Sequence, residues 1–306
     1  MMKRDVSLGN SGGPQPSSSE GGVHEPRAED AGADSPHLDE GQRGQAADHS
    51  SPRALVLHEI IREEGEEALR RTVGALIWSS LAAGLSMGFS FLTESALRAG
   101  LPDTPGRALI SSFGYSAGFV LVILGRQQLF TESTLTVVLP VLTRRNWRTA
   151  LSALRFWAVV LLGNLFGTWV FAAILHIRNV FDPAVATALG DVSRAALGNG
   201  GFGPTVIRAI FAGWLIALMV WLLPSARSGR LLTVLVITYV VAVTKLSHVI
   251  AGSAEVAYSV LNGNVGIGDY LTRFLCPTLI GNILGGVSLV ALLNHAAIAP
   301  EINRSD

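Results

Sequence analysis

The sequence predicts an all-α membrane protein: six transmembrane helices forming an inverted 3 + 3 repeat, the second and fifth of them broken. Three observations carry this. Stretches free of Asp, Glu, Lys and Arg recur at 72–93, 156–177, 209–226 and 274–300, near the ~20 residues a helix needs to cross a bilayer core. Two further apolar stretches are interrupted by polar residues at comparable places. A short motif in the third passage then returns in the sixth, 118 residues later.

The composition agrees. The 306 residues are 49% hydrophobic and 15% charged, with a mean hydropathy of +0.42, against about 25% charged in an average soluble domain. So little charge cannot cover a soluble enzyme. Lys+Arg and Asp+Glu both number 23, for a net charge of zero. No basic excess exists to neutralise phosphates, so nucleic acid is not an expected partner. The one cysteine, Cys276, excludes an internal disulfide and a thiolate metal cage. No HExxH or paired-carboxylate arrangement appears, so no metal or cofactor is expected.

The elements follow in chain order. Residues 1–52 are rich in Gly, Ser, Pro and acids with no apolar run, a composition expected to stay disordered. Residues 53–71 space Leu57, Ile60, Ile61 and Leu69 at helical intervals among charges, predicting an amphipathic helix beside the membrane. The transmembrane domain is expected over 72–300. Its first passage is 72–93. The second runs clean over 108–125, breaks at GRQQLFTE between Arg126 and Glu132, and resumes to Thr143. The third and fourth are 156–177 and 209–226. The fifth runs clean over 231–244 and breaks at TKLSHVIAGSAE, with Lys245, His248 and Glu255. The sixth is 274–300. Arg53, Arg62, Arg70, Arg71, Arg144, Arg145 and Arg148 gather at ends that a cytoplasmic N-terminus places inside. Both termini are therefore expected in the cytoplasm.

Leu162-Gly163-Asn164-Leu165-Phe166-Gly167 and Ile280-Gly281-Asn282-Ile283-Leu284-Gly285 share the GNxxG pattern. The same shift carries Thr131, in the first break, to within one residue of His248, in the second. Each copy has three passages, so the second copy lies inverted. Inverted repeats with a discontinuous helix in each half place a substrate path near the bilayer midplane.

GRQQLFTEST (125–134), LGNLFGTWVF (162–171), SGR (228–230), SHVIAG (247–252) and PTLIGNILGG (277–286), in this order and spacing, resemble the formate/nitrite transporter family over roughly 55–295. The resemblance implies aquaporin-like six-helix protomers in a homopentamer of the inner (plasma) membrane. Each protomer would carry its own pore for a small monovalent anion. It also implies pathway roles for Leu129, Phe130 and Thr131 in the first break and for His248 in the second.

The residues support that assignment on their own chemistry. Unpaired backbone in a broken helix is tolerated at membrane depth only where it lines a wet cavity or is buried in protein, and half-helix N-termini suit an anion. His248 is the one histidine deep in the apolar region, where an ionisable group is a functional hypothesis by default. Its proton would be available to an arriving carboxylate or nitrite. The alternative is a structural histidine bonded to a helix carbonyl. Leu129 and Phe130 would form an apolar constriction. Thr131 either holds the substrate or bonds back to its own helix. Asn164 reads as helix packing, and Asn282 as either packing or pore contact. Gly84 and Gly88 permit close helix approach.

The chain departs from the family pattern. Ser247 stands where an acid usually precedes the histidine, Gly252 where an asparagine follows it, and Ala217 where the fourth helix usually has an asparagine. Arg126, Gln127 and Gln128 occupy the first break, and Lys245 precedes His248 by three residues, predicting a shared helix face. Arg126, Lys245 and Ser247 are thus candidates for selectivity. Alternatively the two cations snorkel, or pair with Glu132 and Glu255. A pore for a neutral or different small solute is the second functional reading. Gly114-Tyr115-Ser116-Ala117-Gly118 matches the nucleophile-elbow pattern but sits in an apolar helix with no strand before it, so no enzyme is expected. GNGGFG (198–203) reads as an external loop.

Overall fold

A computed structural model describes residues 35–49, 52, 54–197 and 201–292. The chain divides into two units, Met1–Ser51 and Pro52–Asp306.

In the first unit, helix α1 (Glu40–His49) occupies part of the stretch expected to be disordered. Its start carries a local reason. Gln42 N–H donates to Asp39 Oδ1 at 2.8 Å, and Asp39 N–H donates to Gln42 Oε1 at 3.0 Å, a reciprocal capping box that satisfies two otherwise orphaned donors. The disorder expected for 1–34 lies outside the described residues.

The second unit is all helix among its described residues. Helix α2 (Ala54–Arg70) buries Leu57, Ile61 and Ala68. Helix α3 (Val73–Gly100) is capped by Thr72, whose Oγ1 accepts from Ala75 N–H at 3.3 Å. It runs past the residue-93 end expected from charge alone and takes Glu94 and Arg98 into the helix. Helix α4 (Arg107–Leu124) is followed by α5 (Phe130–Thr136) and α6 (Val138–Arg144). Pro140 has no N–H to offer Thr136, which explains the step between these last two. Helix α7 (Trp147–Leu175) starts at Asn146, whose Oδ1 accepts from Thr149 N–H at 2.8 Å. Helix α8 (Pro183–Leu197) lies where a loop was expected and buries Ala188, Leu189 and Ser193.

Helices α9 (Phe202–Leu222), α10 (Arg230–Val243) and α11 (Val249–Leu261) follow. The last described helix begins as α12 (Ile267–Asp269) and widens to π geometry over Tyr270–Leu275. It tightens as α13 (Cys276–Leu284) and widens again over Gly285–Leu292. Pro277 cannot donate to Arg273, which accounts for the first widening. The rest of the expected sixth passage, 293–300, lies outside the described residues.

Helices α3, α4, α7 and α9 are each long and apolar enough to cross a membrane. Large apolar side chains face outward: Trp78 is 73% exposed, Trp147 74%, Leu162 66% and Phe166 63%. Water does not cover such a belt favourably, and a bilayer or a second copy does. Inside, α3 packs on α4 and α7, α9 on α13, α10 on α4, and α11 on α7 and α8. Gly84 of α3 lies against the backbone of Asn164, and Gly213 of α9 against that of Asn282. A side chain at either glycine would meet that backbone, so both helix crossings depend on these two positions.

Helix α2 is held by charge as well as burial. Glu66 accepts from Arg62 at 2.6 Å, Arg144 at 2.7 Å and Arg70 at 3.1 Å. The Arg144 hydrogen bond, first among the causes, holds the Glu66 carboxyl below its ordinary value of 4.5. The network therefore stabilises the fold above that value and fades as pH falls through the lowered one. Thermal unfolding in detergent should show Glu66→Gln less stable than wild type by about 1 kcal/mol or less at pH 7, as for other part-exposed pairs. The gap should narrow as pH falls below the ordinary value of 4.5; one that persists unchanged would assign the effect to packing.

Candidate functional site

Two helices in the second unit stop and restart by the same geometry. Helix α4 ends at Leu124 and α5 begins at Phe130; α10 ends at Val243 and α11 begins at Val249. After each end one residue turns left-handed, Arg126 at φ 50° and Lys245 at φ 53°. Gln127 N–H then donates to the Val122 carbonyl, and Leu246 N–H to that of Val241, both at 3.0 Å. The left-handed turn costs a residue other than glycine about 1 kcal/mol. A cation at a helix C-terminus offsets part of that through the helix dipole.

Each restart is clamped by an asparagine. Asn164 Oδ1 accepts from Phe130 N–H at 2.9 Å, while its Nδ2 donates to the Ser80 carbonyl at 2.8 Å and the Gln128 carbonyl at 2.9 Å. Asn282 Oδ1 accepts from Val249 N–H at 2.8 Å, while its Nδ2 donates to the Ala209 carbonyl at 2.8 Å and the Ser247 carbonyl at 2.9 Å. The partners correspond one for one across the repeat. Both asparagines are fully buried, and both amide protons of each are already used.

The two breaks meet at Thr131 and His248, whose Oγ1 and Nε2 lie 2.7 Å apart. His248 Nδ1 accepts from Ala251 N–H at 3.1 Å and so caps α11. A backbone N–H can only donate, so Nδ1 carries no proton. The ring proton sits on Nε2 and is donated to Thr131 Oγ1. The Thr131 hydroxyl proton has no acceptor among the described residues. Protonating the ring would turn Nδ1 into a donor and break the cap. Phe119 stands edge-on to His248, with ring centres 5.0 Å apart, and both residues are buried.

Two cavities flank this pair. The larger, of about 470 Å³, is lined by His248, Ser247, Lys245, Tyr115, Glu94 and Glu255 among others. The smaller, of about 220 Å³, is lined by Leu129, Arg126, Gln127, Gln128 and Glu132, with Glu64 and Arg71 from the α2 end. Leu129, 1% exposed, thus lines the smaller cavity and His248, 1% exposed, the larger.

Several sequence expectations change here. Phe130 packs edge-on against Trp157 at 5.9 Å and, like Thr131 and Phe119, lines neither cavity. Asn282 has both amide protons bonded to backbone carbonyls, leaving none free for a substrate. Lys245 and His248 do not share a helix face. The left-handed turn separates them, Lys245 closing α10 and His248 opening α11. Neither Arg126 with Glu132 nor Lys245 with Glu255 forms an ion pair; each of the four lines a cavity instead. Thr131, Leu129, Ser247 and His248 are gathered at one place. Phe119 was missed, since nothing in an apolar helix marks one phenylalanine. Glu94 and Glu255 were missed as cavity groups, although Glu255 follows His248 by two helical turns.

Comparison with known proteins agrees with this architecture. The formate/nitrite transporter family model matches residues 56–296. The chain is 38% identical over 258 residues to the inner membrane protein YfdC of Escherichia coli, covering 84% of this chain and 82% of that protein. It is 24% identical to the formate channel BtFdhC of Bacillus thuringiensis, covering 78% of this chain and 92% of that protein. Among solved structures, a pentameric formate channel with formate bound superposes with a TM-score of 0.65 at 20% identity, covering 74% of this chain and 98% of that one. An FNT family ion channel superposes with a TM-score of 0.69 at 19% identity, covering 79% and 99%.

The asparagine clamps make a paired prediction. Asn164→Leu and Asn282→Leu should each destabilise the protein by at least about 1–3 kcal/mol, the cost of one orphaned buried partner, and by similar amounts to one another. Thermal unfolding in detergent measures both. A large loss at one site with none at the other would show that the repeats do not share the clamp's duty.

Proposed function

The chain belongs to the formate/nitrite transporter family, and on that premise we propose that it is a homopentameric inner-membrane channel for a small monovalent anion. One observation carries the reading: the buried Thr131–His248 hydrogen bond joins the two helix breaks between the two cavities. The path then runs from the larger cavity past His248 and Phe119, by the Thr131 hydroxyl, and past Leu129 into the smaller cavity. Six passages with the second and fifth interrupted, and both termini in the cytoplasm, complete the arrangement. The larger cavity would then face the periplasm.

The chemistry suits a small weak-acid anion such as formate or nitrite. Because His248 donates its Nε2 proton to Thr131 Oγ1, the threonine proton is left to donate to a passing oxygen. A donor with no acceptor of its own favours an acceptor in transit over water held elsewhere. Arg126 and Lys245, one in each cavity, raise the local concentration of anions on both sides of the seal. Leu129 and Phe119 keep the seal apolar and short.

Purified protein in liposomes, tested with formate, nitrite, acetate, lactate and hydrosulfide, is expected to carry at least one of them. Osmotic swelling with a neutral solute and no flux of any of the five would favour the neutral-pore reading. Asparagine caps a helix as His248 does but cannot reach Thr131. His248→Asn should therefore assemble normally and lower flux about tenfold, the rate equivalent of one ~1.4 kcal/mol hydrogen bond. Unchanged flux would make His248 a capping residue alone.

Assembly and topology are checked separately. Native mass spectrometry in detergent should show five chains. A periplasm-dependent reporter should be active when fused near residue 190 and silent when fused after Asp306; the reverse pattern would invert the orientation.

A further inference from the structure

Glu255 lies on α11 seven residues after His248, two turns along the same helix, so the two side chains fall on one face. Both line the larger cavity. Glu255 is only 8% exposed, and its carboxyl makes no hydrogen bond or ion pair among the described residues. A charged residue held this deep for structural reasons is paired. This one opens onto the cavity instead, and an ionisable group so placed serves what passes through.

The surrounding charges are mixed. From α3 come Glu94 and Arg98, and from α4 Tyr115. Asp191, Arg194 and Arg208 reach the cavity from α8 and α9, and Lys245 from the turn after α10. Among these Arg194 pairs with Asp191 at 2.6 Å, while Glu94, like Glu255, has no ion pair. The cavity therefore offers cations to gather an anion and an unpaired acid beside the entrance to the seal. His248 cannot supply a proton there without losing its cap on Ala251.

We propose that Glu255 is the proton-exchange group of this pore: it gives its carboxyl proton to an incoming weak-acid anion in the larger cavity, and the acid crosses the seal uncharged. This rests on the anion-channel reading above. In the step, the O–H bond of Glu255 breaks and an O–H bond forms on an oxygen of the anion. The bonding pair stays on Glu255, leaving a carboxylate that is reprotonated by hydronium arriving from the solution through the water of the cavity. One proton thus travels with each anion, no net charge moves, and nothing is oxidised or reduced. A charge crossing Leu129 and Phe119 would lose its hydration with little in return, and the neutral acid avoids that cost.

The test uses the full chain in liposomes with formate as the probe, at zero membrane potential. Wild type should take up one proton per formate, read by a pH dye inside the vesicles. Glu255→Gln should reduce coupled uptake about a hundredfold, the lower end of what a positioned proton donor contributes, at unchanged oligomer size. Glu255→Asp should restore coupling with a displaced pH profile, an outcome a packing defect would not give. Proton uptake persisting in Glu255→Gln would overturn the proposal while leaving the channel reading intact. An infrared difference spectrum gives a readout without transport. Wild type should show a protonated-carboxyl stretch, missing in Glu255→Gln, that weakens when formate is added. Failure of wild type to carry any of the five anions would count against the channel reading; absence of that band would count against Glu255.

Discussion

A helix that stops inside an apolar bundle leaves N–H and C=O groups with no water to turn to, and every one must find a partner within the protein. That constraint governs this structure. Asn164 and Asn282 each give a break one acceptor and one donor and tie it to a neighbouring helix with the second donor, more than any smaller polar side chain offers. They can do so only because Gly84 and Gly213 let α3 and α9 approach the asparagine-bearing helices at backbone distance. The GNxxG segments are therefore less a packing motif than the support of the discontinuity itself. Removing the asparagine would leave two backbone groups of the break unpaired.

How much of this was legible depended on contrast. Polar residues inside long apolar runs stand out, so both breaks, the GNxxG pair and the gathering of Leu129, Thr131 and His248 could be read from the chain. The left-handed turns could not. Arg126 and Lys245 adopt a conformation that glycine or asparagine normally marks, so Lys245 appeared to continue the helix toward His248. Helix α8 draws its apolar residues mostly from alanines and is interrupted by Asp191 and Arg194, so no charge-free run marks it among loops. Glu94 stands where the charge-free run ends, which hides that α3 continues to Gly100. Asn164 and Asn282 were read differently although they make matching sets of bonds, because hydrogen-bond saturation is visible only in three dimensions.

The cap on α11 also decides what kind of polar group stands at the centre. A histidine in an apolar region invites a reading as a proton carrier, yet the Ala251 N–H fixes Nδ1 as an acceptor and leaves one proton, on Nε2. The ring then acts as a neutral donor relayed through Thr131. Charge is kept out of the seal and held in the two cavities, where water can share the cost of solvating it.

The two breaks also differ in the side chains they carry. Aligning the two breaks at Phe130 and Val249 places Leu129 opposite His248, and Thr136 opposite Glu255. The backbone solution is the same in both halves, down to the left-handed cation that closes each helix. The chemistry is not. One half contributes an apolar side chain and a hydroxyl, the other an imidazole and a carboxyl. An inverted repeat alone would produce a pore that looks alike from both sides. Leu129 against His248 and Thr136 against Glu255 are therefore two of the differences between the entrances, the smaller cavity having Glu132 as its own acid. The two halves thus share a backbone solution and differ in the side chains it carries.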